Sequence, residues 1–422
     1  MRARASFPRA AAAALGLALL VLGLSDPIAS AAVTCTFNSG NNTVTVTLTE
    51  GATVALARQG DAIAVDGTQC DTATVNNTDT IQVDGSAANA DDVTIDLSGG
   101  AFAPGADDEQ GADDEIEFSV DLPGGGDLRV SGRDVVDRFT VGVNGANLNA
   151  GEATGDIDVV LTGAALWSLA GMGEDDHLSV AGGAGTGPAA SDVSVSGGTG
   201  DDTIEGAIGG CVIDGGGGVD TLDYSASPAG VRVDLSKHEA RRDGAEPDTV
   251  LEVEDLVGTA QGDQLTGAEG PNELRGLAGA DTLDGHRGSD DLFGGDGKDT
   301  VAFAYATQSV TVDLKKGTST GNGDDALDSI ENVQGSEQSD VITGDPVANE
   351  LRGGSGSDAI QGNGGKDLLV GAKGFDSLSG GADGDRLEGG RGKDQLNGGK
   401  GRDTCVPGPD PDAWIACEVV KL

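Results

Sequence analysis

Ten aspartates recur along the second half of the chain in one fixed phase: Asp202, Asp220, Asp281, Asp290, Asp299, Asp358, Asp367, Asp376, Asp394 and Asp403. Each has a glycine two places before it: Gly200, Gly218, Gly279, Gly288, Gly297, Gly356, Gly365, Gly374, Gly392 and Gly401. Asp263, Asp340 and Asp385 keep the phase without that glycine, and Cys211, Asn272 and Asn349 take the aspartate's place in degenerate copies. Regularly spaced carboxylates are hard oxygen donors, suited to binding cations such as Ca²⁺. Zinc chemistry is a poor fit, because the histidines are only His177, His238 and His286, no two adjacent, and no CxxC pair exists.

The phrase around each aspartate says what must position it. "GGRGKDQLNGGKGRDTCV", residues 389–406, is one nine-letter pattern written twice: G-G-x-G-x-D-x-apolar-x. The glycine half makes a tight turn that side chains would resist, and the remainder is long enough only for a strand of about three residues. One apolar residue per repeat, such as Ile204, Leu222, Leu283, Leu292, Ile360 or Leu396, points inward. Two repeats then close a coil of 18 residues, and coils stack as parallel strands roughly 4.7 to 4.9 Å apart.

Residues 18 apart therefore lie one above the other. Asp263, Asp281 and Asp299 form one ladder, with Asn272 and Asp290 facing the other way. Further on, Asp340, Asp358, Asp376 and Asp394 oppose Asn349, Asp367, Asp385 and Asp403. Carboxylates at that spacing repel by on the order of 3 kcal/mol per pair at an effective dielectric of about 20. Closure requires a counter-ion. Two oxygens on opposite sides of Ca²⁺ are separated by about twice 2.3 to 2.6 Å, close to the coil spacing, whereas Mg²⁺ would demand a closer approach or keep its waters. Copies without the fourth glycine, at Asp263, Asp340 and Asp385, are expected to be the weakest sites.

With these residues in view, the chain resembles the RTX (repeats-in-toxin), or haemolysin-type, calcium-binding nonapeptide family over roughly residues 197–406. The resemblance implies a right-handed parallel β-roll with several Ca²⁺ ions between adjacent turns, held by the aspartates above and by carbonyls of their turn glycines. RTX toxins as a class leave the cell through an exporter that reads a carboxy-terminal signal. This chain instead has an amino-terminal leader, which argues against a pore-forming toxin.

The leader comprises Arg2, Arg4 and Arg9, a 15-residue apolar run from Ala10 to Leu24, and the small residues Ala29-Ser30-Ala31. It reads as a secretory signal peptide over 1–31 of a bacterial, extracellular protein, leaving no membrane span in the mature chain. Residues 32–196 carry alternating apolar runs that read as irregular solenoid coils, a β-sandwich being the alternative. Residues 197–404 form the roll, with two mutually similar inserts near 223–257 and 303–334 that read as larger coils. These inserts place Val231-Arg232-Val233 opposite Val310-Thr311-Val312 and reset the ladder register. Residues 405–422 form a cap closed by a Cys405–Cys417 disulfide, with Trp414 and Ile415 covering the last coil. Cys35 and Cys70 form a second disulfide, leaving Cys211 over. The acidic stretch 106–115 reads as a solvated loop.

Composition narrows the function. With 71 Asp and Glu against 25 Lys and Arg, a net charge of -46 makes a nucleic-acid partner improbable. Twelve aromatics (8 Phe, 2 Tyr, 2 Trp) leave little core without ions to close the chain. No zinc-protease helix motif or G-x-S-x-G elbow occurs, "GGSGS" at Gly353 ending in serine. The sequence thus leads to an all-β, secreted, non-enzymatic protein that folds on calcium into a rigid acidic rod, with cell-surface or matrix components as partners. The alternative is a secreted enzyme or effector whose active domain lies in residues 32–196.

Overall fold

The computed structural model describes residues 33–49, 51–76, 78, 80–85, 90, 92–97, 117–122, 127–131, 138–142, 145–147, 159–163, 166–180, 193–206, 209–242 and 245–421. The leader and the acidic stretch 106–115 lie outside them. Two long sheets of 21 and 20 strands carry nearly all the described structure, so each coil gives about one strand to each sheet. Only a two-stranded pairing of Ala278–Gly279 with Asp296–Gly297 stands apart. The sole helical element among the described residues is a 3-10 turn at Leu235–Lys237.

Parallel register follows the repeat length. Leu369, Leu387 and Cys405 lie side by side in one sheet, and Ile342, Ile360, Leu378 and Leu396 in the other, each 18 residues on. Every one is buried, so each half-coil contributes one apolar residue to a narrow core. Strands between the inserts are three residues long, as at Thr282–Asp284. In the last block they lengthen to six, as at Leu368–Lys373, because the second and third turn residues also pair across coils.

Residues 33–196 give strands to the same two sheets. Thr43–Leu48, Thr80–Asp84, Glu117–Leu122 and Val159–Gly163 stack in parallel in the first. Thr53–Gln59, Asp92–Asp96, Asp127–Ser131, Leu166–Gly173 and Val193–Thr199 do so in the second. The coil is longer here: Val44, Ile81 and Phe118 are register partners 37 residues apart, Leu178 and Ile204 are 26 apart, and Ile204 and Leu222 are 18 apart. These coils are therefore solenoid, not sandwich. Antiparallel strands close the start: Val33–Asn38 pairs with Thr43–Leu48, and Thr53–Gln59, Ala62–Val65 and Thr68–Thr74 form a meander. The Cys35–Cys70 disulfide ties these two groups together, with a Cα–Cα distance of 5.6 Å.

The inserts are equivalent in construction but enter opposite sheets. In the second sheet, Arg232–Asp234, Glu239–Arg241 and Asp248–Leu251 stand where a regular coil would place one strand. In the first, Thr311–Asp313, Thr318–Thr320 and Asp324–Asp328 do the same. Six three-residue strands lie between the inserts, Asp255–Val257, Gln264–Thr266, Glu273–Arg275, Thr282–Asp284, Asp291–Phe293 and Thr300–Ala302, alternating between the sheets. An even number carries the second insert into the opposite sheet, so the two extra pairs of strands balance. At the end, Cys405 and Cys417 are bonded, and Trp414 continues the Leu396 row. Trp414 and Ile415 are 41% and 65% exposed, so they extend the stack without sealing it.

Candidate metal centre

Every ladder aspartate ends a turn and begins a strand, so its backbone is fixed by the sheet and its side chain turns inward. Asp202, Asp220, Asp263, Asp281, Asp290, Asp299, Asp340, Asp358, Asp367, Asp376, Asp385, Asp394 and Asp403 are all buried, none more than 3% exposed. Their two oxygens have different environments.

Oδ1 is a structural acceptor. It takes the backbone N–H of the ladder residue one coil earlier: Asp340 donates to Asp358 at 2.9 Å, Asp358 to Asp376 at 3.0 Å and Asp376 to Asp394 at 3.0 Å. The opposite row runs from Asn349 to Asp367, Asp385 and Asp403 at 2.9 to 3.0 Å. Upstream, Asp202 donates to Asp220, Asp263 to Asp281, Asp281 to Asp299 and Asn272 to Asp290. The ladders inferred from the 18-residue period are thus physical hydrogen-bonded rows. Three rows end on glutamates that the repeat pattern does not reveal: Glu254 accepts from Asp220, Glu331 from Asp299 and Glu418 from Asp403.

Oδ2 is different. In Asp202, Asp220, Asp281, Asp299, Asp358, Asp367, Asp376, Asp385, Asp394 and Asp403 it is buried and accepts no hydrogen bond. The same holds for Asp412, whose turn begins with proline and so escapes the glycine pattern. In the glycine-led turns Oδ2 faces the first glycine, and in those of Asp202, Asp220, Asp281, Asp299, Asp367, Asp385, Asp394 and Asp403 a main-chain carbonyl points to the same place. A Cβ built on Gly362 would lie 2.6 Å from Gly380 O and nearer still to Asp367 Oδ2. One on Gly276 would lie 2.7 Å from Gly294 O and nearer to Asp281 Oδ2. Asp290 directs Oδ2 at Gly285 in the same way. Two acceptors from successive coils converge without a donor, and such buried groups are costly unless paired. A cation supplies what is missing, and an all-oxygen set of carboxylate and carbonyl suits Ca²⁺. Among the described residues no three His, Cys, Asp or Glu side chains cluster as a conventional metal cage. A site here draws on one carboxylate per turn together with main-chain oxygens.

Four turns in the same phase are closed by the protein itself. The N–H four places back donates to the inward oxygen: Thr259 to Asp263 at 2.6 Å, Ala268 to Asn272 at 2.8 Å, Ser336 to Asp340 at 2.7 Å and Asp345 to Asn349 at 2.9 Å. The Thr259 and Ser336 hydroxyls add further bonds, and the Asn272 and Asn349 amides donate to Glu254 O and Glu331 O. Backbone conformation separates the two classes. In open turns the residue at this second place has positive φ, including the non-glycines Leu277 (+74), His286 (+68), Asn363 (+75) and Ala372 (+77), a conformation that L-residues rarely adopt. Thr259, Ala268, Ser336 and Asp345 do not have it. The three turns expected to be weak therefore divide. Asp263 and Asp340 have no oxygen left for a cation, whereas the Asp385 turn stays open because its second place, Gly381, has φ +113, and Asp383 adopts φ +74 in the fourth place where the other turns have glycine. Of the fourth-place glycines, Gly200, Gly218, Gly279, Gly288, Gly356, Gly365, Gly374, Gly392 and Gly401 have positive φ. Gly297 does not, but a Cβ there would run into Gly279 O.

Burial raises most of the open-turn carboxylates. Asp290 and Asp358 are pushed up to about 7, and Asp220, Asp281, Asp367, Asp376 and Asp385 to about 6. Desolvation is the main cause, neighbouring carboxylates add to it, and the N–H bond to Oδ1 opposes it. Raised carboxylates of this kind favour a neutralising positive charge.

The RTX calcium-binding nonapeptide repeat matches residues 266–301, 343–378, 370–405 and 379–412. No curated protein matches the chain. Asp202 and Asp220 fall outside the matched segments yet share the open-turn geometry within them. Across those segments the chain is built of RTX calcium-binding nonapeptide repeats, folded as a parallel β-roll.

Proposed function

We propose that this is an exported, non-enzymatic protein whose roll closes on calcium into a rigid rod with a structural or adhesive role outside the cell. The observation that carries the reading is the convergence of a partnerless Oδ2 and a carbonyl oxygen at successive open turns. Asp202, Asp220, Asp281, Asp290, Asp299, Asp358, Asp367, Asp376, Asp385, Asp394, Asp403 and Asp412 would hold the ions, with the carbonyl of the first glycine in the following coil where one is present. Calcium would supply charge neutralisation that no side chain offers. The closed turns at Asp263, Asn272, Asp340 and Asn349 would hold none. A chain emptied of calcium is repelled open, and one entering a calcium-rich exterior closes. Among the described residues no helix is long and apolar enough to cross a membrane. Supporting a non-enzymatic role, the described part of residues 33–196 continues the two sheets of the roll rather than forming a separate catalytic body.

Circular dichroism during calcium titration tests this, with magnesium as control and the Asp358→Ala, Asp376→Ala double variant beside the parent. The reading expects a cooperative gain of β signal with calcium, weakened in the variant. Full β signal in chelator, indifferent to calcium, would refute it.

A further inference from the structure

We propose that the edge of the last repeat block formed by Lys373, Phe375, Arg391 and Lys393 binds a linear acidic polysaccharide. The proposal rests on the calcium reading above. Residues 350–404 hold eight Lys and Arg against nine Asp and Glu. Six of those nine acids are buried ladder aspartates, whereas all eight basic residues are exposed. Once cations neutralise the ladders, the outward balance is eight basic residues against three acids, Glu350, Asp383 and Glu388. Two of these are already paired on the strand faces, with Arg352 and Arg386. The uncompensated positive charge therefore lies on the turn edges, on a chain that is otherwise strongly acidic.

On one edge this charge is aligned. Lys373 and Arg391 are register partners on neighbouring parallel strands, so like charges stand about 4.8 Å apart at the backbone, an arrangement that is unfavourable unless an anion lies along it. Lys393 continues the edge. Phe375 is 67% exposed and lines a shallow groove with Lys373, Arg391 and Ser357. One coil on, Asp410 accepts the Gly392 N–H at 3.0 Å. A ridge one turn wide, with charges stepped along the roll axis, fits a chain rather than a bilayer plane. An exposed aromatic face within it suits the C–H face of a sugar ring, while carboxylates on successive sugars meet the cations. Nucleic acid, with its denser charge, is disfavoured by the acidity of the rest of the rod.

The test is binding of the full chain to immobilised polyglucuronate, with neutral dextran as control, in calcium and in chelator. The Lys373→Glu, Arg391→Glu, Lys393→Glu variant and Phe375→Ala are run beside it, and circular dichroism checks that each still closes at the parent's calcium midpoint. Expected are binding in calcium only, none to dextran, and a loss of at least about tenfold in the charge-reversed variant. Equal binding by a normally folded charge-reversed variant would show ions bridging acid to acid and overturn the proposal. So would equally tight binding of single-stranded DNA or anionic vesicles. A chain whose β signal ignores calcium would instead fail the underlying calcium reading, whatever it binds.

Discussion

The first coils and the last are stacked in the same two sheets but held together differently. In the first, a strand such as Thr43–Leu48 buries Val44, Val46 and Leu48, its parallel neighbour Thr80–Asp84 buries Ile81 and Val83, and a disulfide ties the end. In the last block, Gln395–Lys400 buries Leu396 as its one large apolar side chain, next to the inward carboxylate of Asp394. At about 25 cal/mol per Å² of apolar surface, several inward side chains per strand stabilise a coil without help, while one does not offset the ordering entropy of nine residues. On the proposed reading, coil length and ion dependence are two faces of one trade: the 18-residue coil would be compact because a cation replaces the core it lacks.

Substitutions can break that contrast, beginning with the strongest. Gly362→Ala places a methyl where Asp367 Oδ2 and Gly380 O converge, so the calcium midpoint should rise by at least about tenfold. Gly60→Ala, in the amino-terminal meander, meets nothing within 4 Å and should cost only about 1 kcal/mol for its positive φ, leaving the midpoint alone. Calcium-monitored circular dichroism separates the two. Replacing Cys35 and Cys70 by alanine removes a 35-residue link and should lower the thermal stability of the first coils by about 2 to 4 kcal/mol, again without moving the calcium midpoint.

The closed turns sharpen the comparison within the roll. Asn349→Ala removes the amide donor to Glu331 O and the acceptor for Asp345 N–H, and should cost about 1 to 3 kcal/mol with calcium stoichiometry unchanged. The paired substitution Ser336→Gly, Gln338→Gly restores glycine at the second and fourth places of the Asp340 turn, freeing it to open, and should add bound calcium, read by titration calorimetry. The smallest effect is on pH. Because burial raises Asp290 and Asp358 to about 7 and Asp376 to about 6, protonation stabilises the folded roll relative to the unfolded chain. That stability is present at acid pH and lost as pH rises through about 6 to 7. In chelator the repeat block should therefore gain β signal between about pH 8 and pH 5, and the first coils should not change.

Much of this was legible because a nine-residue turn-and-strand leaves one inward polar place and one inward apolar place, so the letters fix the ladders. What was hidden lies in backbone direction. Thr259 and Ser336 look like ordinary losses of glycine, yet they reverse which way the N–H points and close the site. Asp412 was masked by Pro407. Glu254, Glu331 and Glu418 terminate rows from segments that do not carry the repeat.

The most direct test of the central claim is hydrogen exchange read by segment, with the chain in calcium and then in chelator. The account predicts that amides of residues 350–404 lose protection by orders of magnitude on chelation while those of residues 43–84 keep theirs. Equal protection of both segments in chelator would contradict it, because the repeat block would then stand without the ions its carboxylates are arranged to hold.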